Sequence, residues 1–391
     1  MTTQVLDNTA IFRRTYGVEI EFIGRSGSRD DLAAEITRAG VPTRVMPLYP
    51  HTVPRGFWAL KTDNSLRAAG GGYTERGWEM VSPPLSGEDG FQQIETVTAV
   101  LTRHGASINP STGLHIHVDS RNPAMDLDAL KRLAILYIEN EPIFDRLNPP
   151  SRRGNDNHFL SSIAMRNPKT IMQARDIESI ASILKFGNAR HREYSRNHYD
   201  PRRYVKLNFV TSFYWHHGTV EFRHAAGSTD AAKIKKWVLL YLRLTEKAAT
   251  ATNTETVEHA VRTQRRARAG TKRAILIDMV LRPEGATTRE VLAATGWGEV
   301  SVAGVAHQYG LNVRSERVWE NHRRVLRYFG SLDPNAPATT TTTVRNIARF
   351  KATNITEMAE YLGMPDDERT YWEARDAMLN QPNLRNIVRA E

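Results

Sequence analysis

Cysteine is absent from all 391 residues of the chain. That excludes disulfide cross-links, thiolate metal sites and a cysteine nucleophile. Long apolar runs are missing too. No segment approaches the roughly 20 consecutive apolar residues that a membrane-spanning helix needs. The opening stretch MTTQVLDNTAIFRRTYG lacks the basic-then-apolar order of a secretory signal. A soluble, cytoplasmic protein without a membrane partner is therefore expected. There is no internal repeat, no G-x-x-x-x-G-K-[ST] phosphate loop and no Ser/His/Asp nucleophile pattern. What is in surplus is positive charge. Lys and Arg number 53 against 43 Asp and Glu, a formal net charge of +10. Such a surplus favours anionic partners, among them nucleotides, nucleic acid and phosphorylated substrates. With 40% apolar and 25% charged residues the composition is that of a globular protein. At roughly 100–200 residues per domain, the length allows two or three domains.

Several short segments alternate with period two and read as strands: Tyr16–Ile23, Phe57–Lys61, Gly77–Ser82, Leu114–Val118, Tyr204–Val210 and Gly218–Arg223. Helical patterns fall at 29–39, 87–104, 126–147, 176–186 and 230–249. Gly70–Gly72 reads as a hairpin tip. Beyond residue 250 the composition turns polar, and Arg262–Arg273 carries six basic side chains without an acid. The tract PNAPATTTTT at 334–343 reads as a linker.

Three strands share a chemical feature. Glu19 and Glu21, His115 and His117, and Glu221 and Arg223 each lie two residues apart. Positions i and i+2 of a strand project to one face. Val18, Ile20, Phe22, Ile116, Val118, Val220 and Phe222 then face the other way. The plain alternative for each pair is an amphipathic strand with a solvated polar side. Carboxylates are hard oxygen ligands for Mg²⁺ or Mn²⁺, and imidazole adds a borderline nitrogen. A zinc hydrolase would want two or three His around one metal. Arginine beside such ligands suits bidentate capture of an anionic oxygen.

The motifs GVEIEF (17–22), WEMVSPPL (78–85), GLHIHVD (113–119), SRRGN (151–155), YVKLNF (204–209) and TVEFRHAAGSTDAAKIKKWV (219–238) resemble, in order, the landmarks of the amidoligase family. That family is grouped with carboxylate–amine ligases related to glutamine synthetase and γ-glutamylcysteine synthetase. The resemblance covers residues 13–250. It implies an α+β fold, with an antiparallel sheet curved into a half-barrel and flanked by helices. It also implies ATP-dependent amide formation with Mg²⁺ or Mn²⁺ through an acyl phosphate. By the same resemblance Glu19, Glu21, Glu79, His115 and Glu221 are the metal ligands. His117 lies near the transferred phosphate, and Arg223 steadies the phosphoryl group. Asp63, in D-N-S-L, resembles the segment that holds the attacking amine, although here it follows the Glu-rich strand; an ordinary turn aspartate is its other reading. Arg152 and Arg153 are expected to grip phosphates or the substrate carboxylate. Lys206 and Asn208 join them as cofactor-binding residues, with a buried structural hydrogen bond as the alternative for Asn208.

Residues 271–330 resemble a winged helix-turn-helix. Thr287 can cap a second helix that ends at Gly296. Residues 299–309 give a third helix and 311–329 a two-stranded wing. Arg314, Arg317, Arg323, Arg324 and Arg327 charge that wing. The expected layout is a tail over 1–12, a ligase-like domain over 13–250 and a basic linker over 251–270. A winged-helix-like domain (271–330), a Pro/Thr linker (331–343) and a helical segment (344–391) follow. The leading reading is an ATP-dependent amide ligase acting on carboxylate and amine substrates: a peptide, an amino acid or a modified nucleobase. A nucleic-acid or protein partner would bind through 262–330. The alternatives are an inactive nucleic-acid-binding or scaffold protein on the ligase fold, and a metal-dependent hydrolase.

Overall fold

The structure, a computed structural model, describes residues 8–25, 29–46, 54–67, 75–121, 125–154, 157–188, 200–213, 217–251, 254–260, 270–309, 311–320, 323–332, 339–345 and 350–381. The expected hairpin tip at Gly70–Gly72, residues 1–7 of the tail and residues 261–269 of the basic stretch lie outside these. Two units form. The first holds Met1–Thr252 and Ile347–Glu391, and the second Asn253–Asn346.

In chain order the first unit contains α1 (Asn8–Arg13), β1 (Tyr16–Arg25), α2 (Arg29–Arg38), β2 (Thr43–Val45), β3 (Trp58–Thr62), β4 (Glu75–Val81), α3 (Gly87–Arg103) and β5 (Gly113–Asp119). It continues with α4 (Leu127–Arg146), α5 (Pro168–Met172), α6 (Ile177–Phe186), β6 (Leu207–Asn208), α7 (Val210–Phe213), β7 (Thr219–Ala226) and α8 (Ala231–Thr250). The strands make an open seven-stranded sheet in the order β2-β3-β4-β1-β5-β7-β6. An all-antiparallel sheet was the expectation, and one pair departs from it. β2 runs parallel to β3. The connection over 46–57 has the length that a parallel crossover requires.

Alternation places the sheet between two environments. Val18, Ile20, Phe22, Ile116, Val118, Val220 and Phe222 are buried on the helix-covered face. There Phe222 stacks on Tyr241 of α8 at 4.2 Å, and Tyr137 of α4 lies 6.0 Å from the same ring. Burying one such side chain contributes about 1.5–3 kcal/mol. Asp126 and Asp230 cap α4 and α8, which carry this apolar cover. Between β5 and β7 the register shifts: Leu114 pairs with Ala225 but Ile116 with Phe222, so β7 holds one extra residue. Ordinary alternation turns neighbours to opposite faces, Arg223 toward Glu221 and His224 toward Tyr137.

Two sequence expectations change here. Tyr204–Val210 is not one strand. Only Leu207–Asn208 pairs with β7, because the Asn208 carboxamide accepts the Val210 N–H and starts α7. The C-terminal segment, read as separate, packs against the first unit.

The second unit begins with β8 (Thr254–Ala260), followed by α9 (Lys272–Leu281), β9 (Ala286–Thr287), α10 (Thr288–Thr295), α11 (Val302–Gln308), β10 (Leu311–Glu320), β11 (Arg323–Leu332) and β12 (Thr339–Arg345). β10, β11 and β9 form a three-stranded sheet. Thr287 caps α10 in a full capping box with Glu290, and Gly296 ends it at φ +63°. Leu276, Val280, Val291 and Ala306 are its core. The Pro/Thr tract was expected to be a linker, yet Thr339–Arg345 pairs antiparallel with Thr254–Ala260. A run of threonine suits an extended, β-branched strand.

The chain then returns to the first unit with α12 (Ile355–Tyr361) and α13 (Asp366–Asn380). Trp372 is fully buried and meets Trp237 of α8 edge-on at 4.7 Å. Arg243 donates to both Glu368 oxygens at 2.9 and 3.0 Å. Among the described residues no helix is long and apolar enough to cross a membrane.

Candidate active site

The polar face of the sheet lines a cavity of about 1710 Å³. Cross-strand pairing assembles its floor. Lys61 faces Glu79, and Glu79 faces Glu21. Glu19 faces His115, and His117 faces Glu221, which faces Asn208. Directly opposed side chains on one face approach within contact distance. The motifs of β1, β4, β5 and β7 are thus brought together by register alone.

His115 sits at the centre. Its Nδ1 lies 3.0 Å from Glu19 Oε2 and 3.5 Å from Glu221 Oε1, and its Nε2 lies 3.5 Å from Glu21 Oε1. Two groups of donor atoms, Glu19–His115–Glu221 and Glu21–Glu79–His115, each lie within 4.8 Å of one another. His117 Nε2 is 3.3 Å from Glu19 Oε1, and its Nδ1 is 3.0 Å from Thr219 Oγ1. Arg223 donates to Glu221 Oε1 and Asn208 to Glu221 Oε2. Gly113 N–H donates to Glu21 Oε2. A Cβ at Gly113 would sit 2.9 Å from Arg152 Nη2 and 3.1 Å from His115 Nε2, so a larger residue here would displace side chains of the site.

The electrostatics are those of buried acids with partial compensation. Burial pushes Glu221 up, but Arg223, His117 and His115 outweigh it and hold the carboxyl at about 2. Glu19 is likewise lowered, burial being overcome by its two histidines. Glu79 is raised, first by burial and then by the Glu19 charge. Burial pushes His117 down, but Glu19 and Glu221 together outweigh it and raise it. Burial brings Arg152 down to about 10. Several carboxylates and one shared imidazole form a hard-ligand set suited to Mg²⁺ or Mn²⁺. Buried carboxylates need compensating positive charge, and a divalent cation would supply it. The residues present fit such an ion.

Glu19, Glu21, Glu79, His115, His117, Glu221, Arg223, Arg152 and Asp63 all line the cavity. Asp63 Oδ1 accepts from Ser65 N and Oγ at 2.8 and 2.7 Å, so it stands in a turn and on the wall at once. Arg152 is tied to the backbone carbonyl of Arg223.

Three expectations need correction. Lys206 is fully buried and bonds Glu141 at 2.7 Å and Asp145 at 2.6 Å, behind the sheet rather than in the cavity. The short β6 and the carboxylates of α4 hold it there. Arg153 turns away and donates to the Asn148 carbonyl. Asn208 is buried and reaches the site only through Glu221.

A family model described as "Putative amidoligase enzyme" matches residues 13–245. The chain belongs to this amidoligase family. A second model, a protein family of unknown function (DUF3489), matches residues 265–326. No curated protein matches the chain. The amidoligase match ends inside α8, so α12 and α13 lie outside it, though they complete the same folded unit.

Sequence reasoning missed other residues on the amidoligase cavity wall: Lys61, Arg121, His158, Phe159, Tyr204 and His217. Lys61 alternates with the buried Leu60 and could have been found by its period. His217, 6.5 Å from His117 ring to ring, lies just before Gly218, whose φ of +63° turns the chain into β7. The loop residues carry no periodic signal.

Proposed function

We propose that this amidoligase-family chain is an ATP-dependent carboxylate–amine ligase. The observation that carries the reading is the carboxylate–histidine floor with Arg223 and Arg152 at its margin, inside one cavity with room for several ligands. A carboxylate is a poor acyl donor because its leaving group would be oxide. Attack of a carboxylate oxygen on the terminal phosphorus of ATP forms a P–O bond, breaks the bond to ADP and leaves an acyl phosphate. The amine nitrogen then attacks the acyl carbon, the C–O bond to phosphate breaks, and the amine proton passes to a carboxylate. Asp63 is our candidate to hold that amine.

Glu19, Glu21, Glu79, His115 and Glu221 would hold divalent cations. When bound, such ions neutralise phosphate charge and polarise the transferring group. Arg223 and Arg152 orient phosphoryl oxygens by directed N–H donors, and His117 stands beside the same region. The sheet's fixed register keeps these groups preorganised. An enzyme drawing on ATP suits the cytoplasm. The substrates are a carboxylate and an amine carried by a peptide, an amino acid or a nucleobase.

Calorimetry with ATP tests this reading. Binding should require Mg²⁺, and equal affinity with and without the ion would sink it. Screening carboxylate–amine pairs for ADP release, with mass spectrometry of the adduct, then names the substrates. Mg·ATP binding with no turnover on any pair would favour the inactive scaffold.

For the second unit we infer a winged helix that grips nucleic acid through its wing. Its order α9-β9-α10-α11-β10-β11 is that of a winged helix-turn-helix. α11, VAGVAHQ, carries no Lys or Arg, whereas β10 and β11 carry five Arg. Phosphate contacts from the wing, rather than base reading by the helix, fit this charge placement.

A further inference from the structure

One stretch of the cavity wall is aromatic, and nothing in the chemistry above uses it. His158 and Phe159 lie ring to ring at 4.0 Å, and Tyr204 is 5.6 and 5.4 Å from them. The Arg203 guanidinium stands 5.5 Å from the Tyr204 ring. All four line the cavity. Phe159 keeps 42% of its surface open, so this cluster is not a sealed core.

The group is held firmly. Phe159 N–H donates to Asn157 Oδ1 at 3.0 Å, and Leu160, which is buried, bonds back to the Asn157 carbonyl. Ser161 bridges to Val205. Lys185 Nζ ties the two segments together, donating to Ser161 Oγ and to the Tyr204 carbonyl, both at 2.9 Å. An exposed aromatic surface fixed in advance costs little ordering when a flat ligand arrives.

Its place relative to the anion-holding end of the floor is also fixed. The Arg223 N–H donates to the Lys206 carbonyl at 2.9 Å. Tyr204 precedes Lys206 by two residues, a span of at most about 7 Å. The aromatic wall therefore begins one short step beyond Arg223. A nucleotide matches that layout, with its anionic chain toward Arg223 and its flat ring on this wall.

We propose that the purine base of the nucleotide stacks on the open Phe159 ring, with His158 and Tyr204, tilted 47° and 74° to it, as its flanks. This rests on the ATP-dependent reading above. Arg203, over the Tyr204 ring, adds a cation beside these rings, and stacking on such surfaces needs no edge-specific hydrogen bonds. An aromatic amine substrate would use the ring surface but offer no anion to the arginines beside it.

The test compares two probes by calorimetry on the full chain: Mg·ATP and Mg·inorganic triphosphate. The triphosphate reports the floor alone, and ATP reports floor plus stacking ring. Wild type should bind Mg·ATP more tightly than Mg·triphosphate. Phe159→Ala should weaken Mg·ATP roughly tenfold, the scale of one lost stacking contact, and leave Mg·triphosphate unchanged. Phe159→Trp should keep the ATP affinity. Unchanged triphosphate binding also shows that the variant folds. Equal wild-type affinity for the two probes, or Phe159→Ala holding Mg·ATP within about twofold, less than one stacked base contributes, would overturn the stacking on Phe159 while sparing the ligase reading. Binding of neither probe by wild type would overturn both.

Discussion

Glu19 and His115 are direct cross-strand partners, and Glu19 Oε2 lies 3.0 Å from His115 Nδ1. This contact joins the first strand motif to the third. It also sets a clear test of the metal assignment. Glu19→Gln keeps the shape and a carbonyl acceptor but removes the charge. Glu221→Ala removes a second carboxylate of the same group. Each should lower Mn²⁺ affinity by at least about a hundredfold, the upper range for lost supporting groups around a metal. Titration calorimetry with Mn²⁺ reads the affinity, and circular dichroism confirms the fold. A variant that binds Mn²⁺ as wild type does would remove that residue from the ligand set.

The returning helices lead to a stability prediction. Arg243 and Glu368 form a two-bonded pair with both side chains nearly sealed from water. Removing one partner of such a pair strands the other charge, so Glu368→Ala should cost about 3–5 kcal/mol in urea unfolding. A chain ending near Thr250 loses Trp372 as well and exposes Trp237, which is fully buried. We expect that truncation to aggregate. A soluble truncated chain with a sharp thermal transition would show that α12 and α13 are dispensable.

How far the sequence alone reached is clear from particular residues. Period-two alternation exposed the pairs Glu19/Glu21, His115/His117 and Glu221/Arg223, because a strand writes its face directly into residue order. Thr287 and Gly296 were readable as caps, since those positions demand particular side chains and dihedrals. Lys206 was misplaced. Its alternation with Asn208 suggested a shared face, yet its partners Glu141 and Asp145 sit on a helix more than sixty positions away. Nothing local encodes that meeting. The partner of Trp372 was hidden for the same reason, because 94 residues of another unit, Asn253–Asn346, separate the two parts of the first. The parallel β2–β3 pair and the aromatic wall depend on connections without periodic patterns.

Buried His224 makes stability depend on pH. Its Nδ1 and the Tyr137 hydroxyl lie 2.8 Å apart, and its Nε2 is 2.8 Å from Asp145 Oδ1. Burial holds its pKa below the ordinary value, even with Asp145 beside it. A group whose folded pKa is depressed takes up its proton more readily when unfolded. Its stabilisation is therefore present above the unfolded value of about 6.5 and lost as the pH falls below that. Asp145 acts in the same direction at lower pH. Burial raises it, but bonds from His224 and Lys206 bring it below its usual value. The urea midpoint should fall between about pH 7 and pH 5, and His224→Asn should flatten that fall. An equally steep fall in the variant would assign the effect to another group.

The last prediction concerns the wing. Arg317 pairs across the hairpin with Leu326, and Trp319 with Arg324, so these four side chains share one face. Trp319 is 70% exposed, and the Arg324 guanidinium lies 5.4 Å from its ring. Arg314 and Arg327 are already engaged, with Glu316 and with Glu290 and Glu320. Trp297, by contrast, packs against the unit's own core. A nucleic-acid grip would therefore combine phosphate contacts from Arg317, Arg324 and the basic stretch with a base on Trp319. Log affinity for nucleic acid should fall linearly with log salt. Four or five phosphate contacts give a slope of about −4, more than a hundredfold loss between roughly 50 and 200 mM salt. Arg324→Ala should flatten the slope by about one unit. Trp319→Ala should lower affinity by about 1–3 kcal/mol at every salt concentration while leaving the slope alone. A protein-docking face predicts instead a shallow salt response, with Trp319→Ala costing about 2 kcal/mol or more against the protein partner. Fluorescence anisotropy of labelled single- and double-stranded DNA with the full chain separates the two. No binding even at about 50 mM salt, where the counterion term is strong, would eliminate the nucleic-acid reading and leave Trp319 as the anchor to test against proteins.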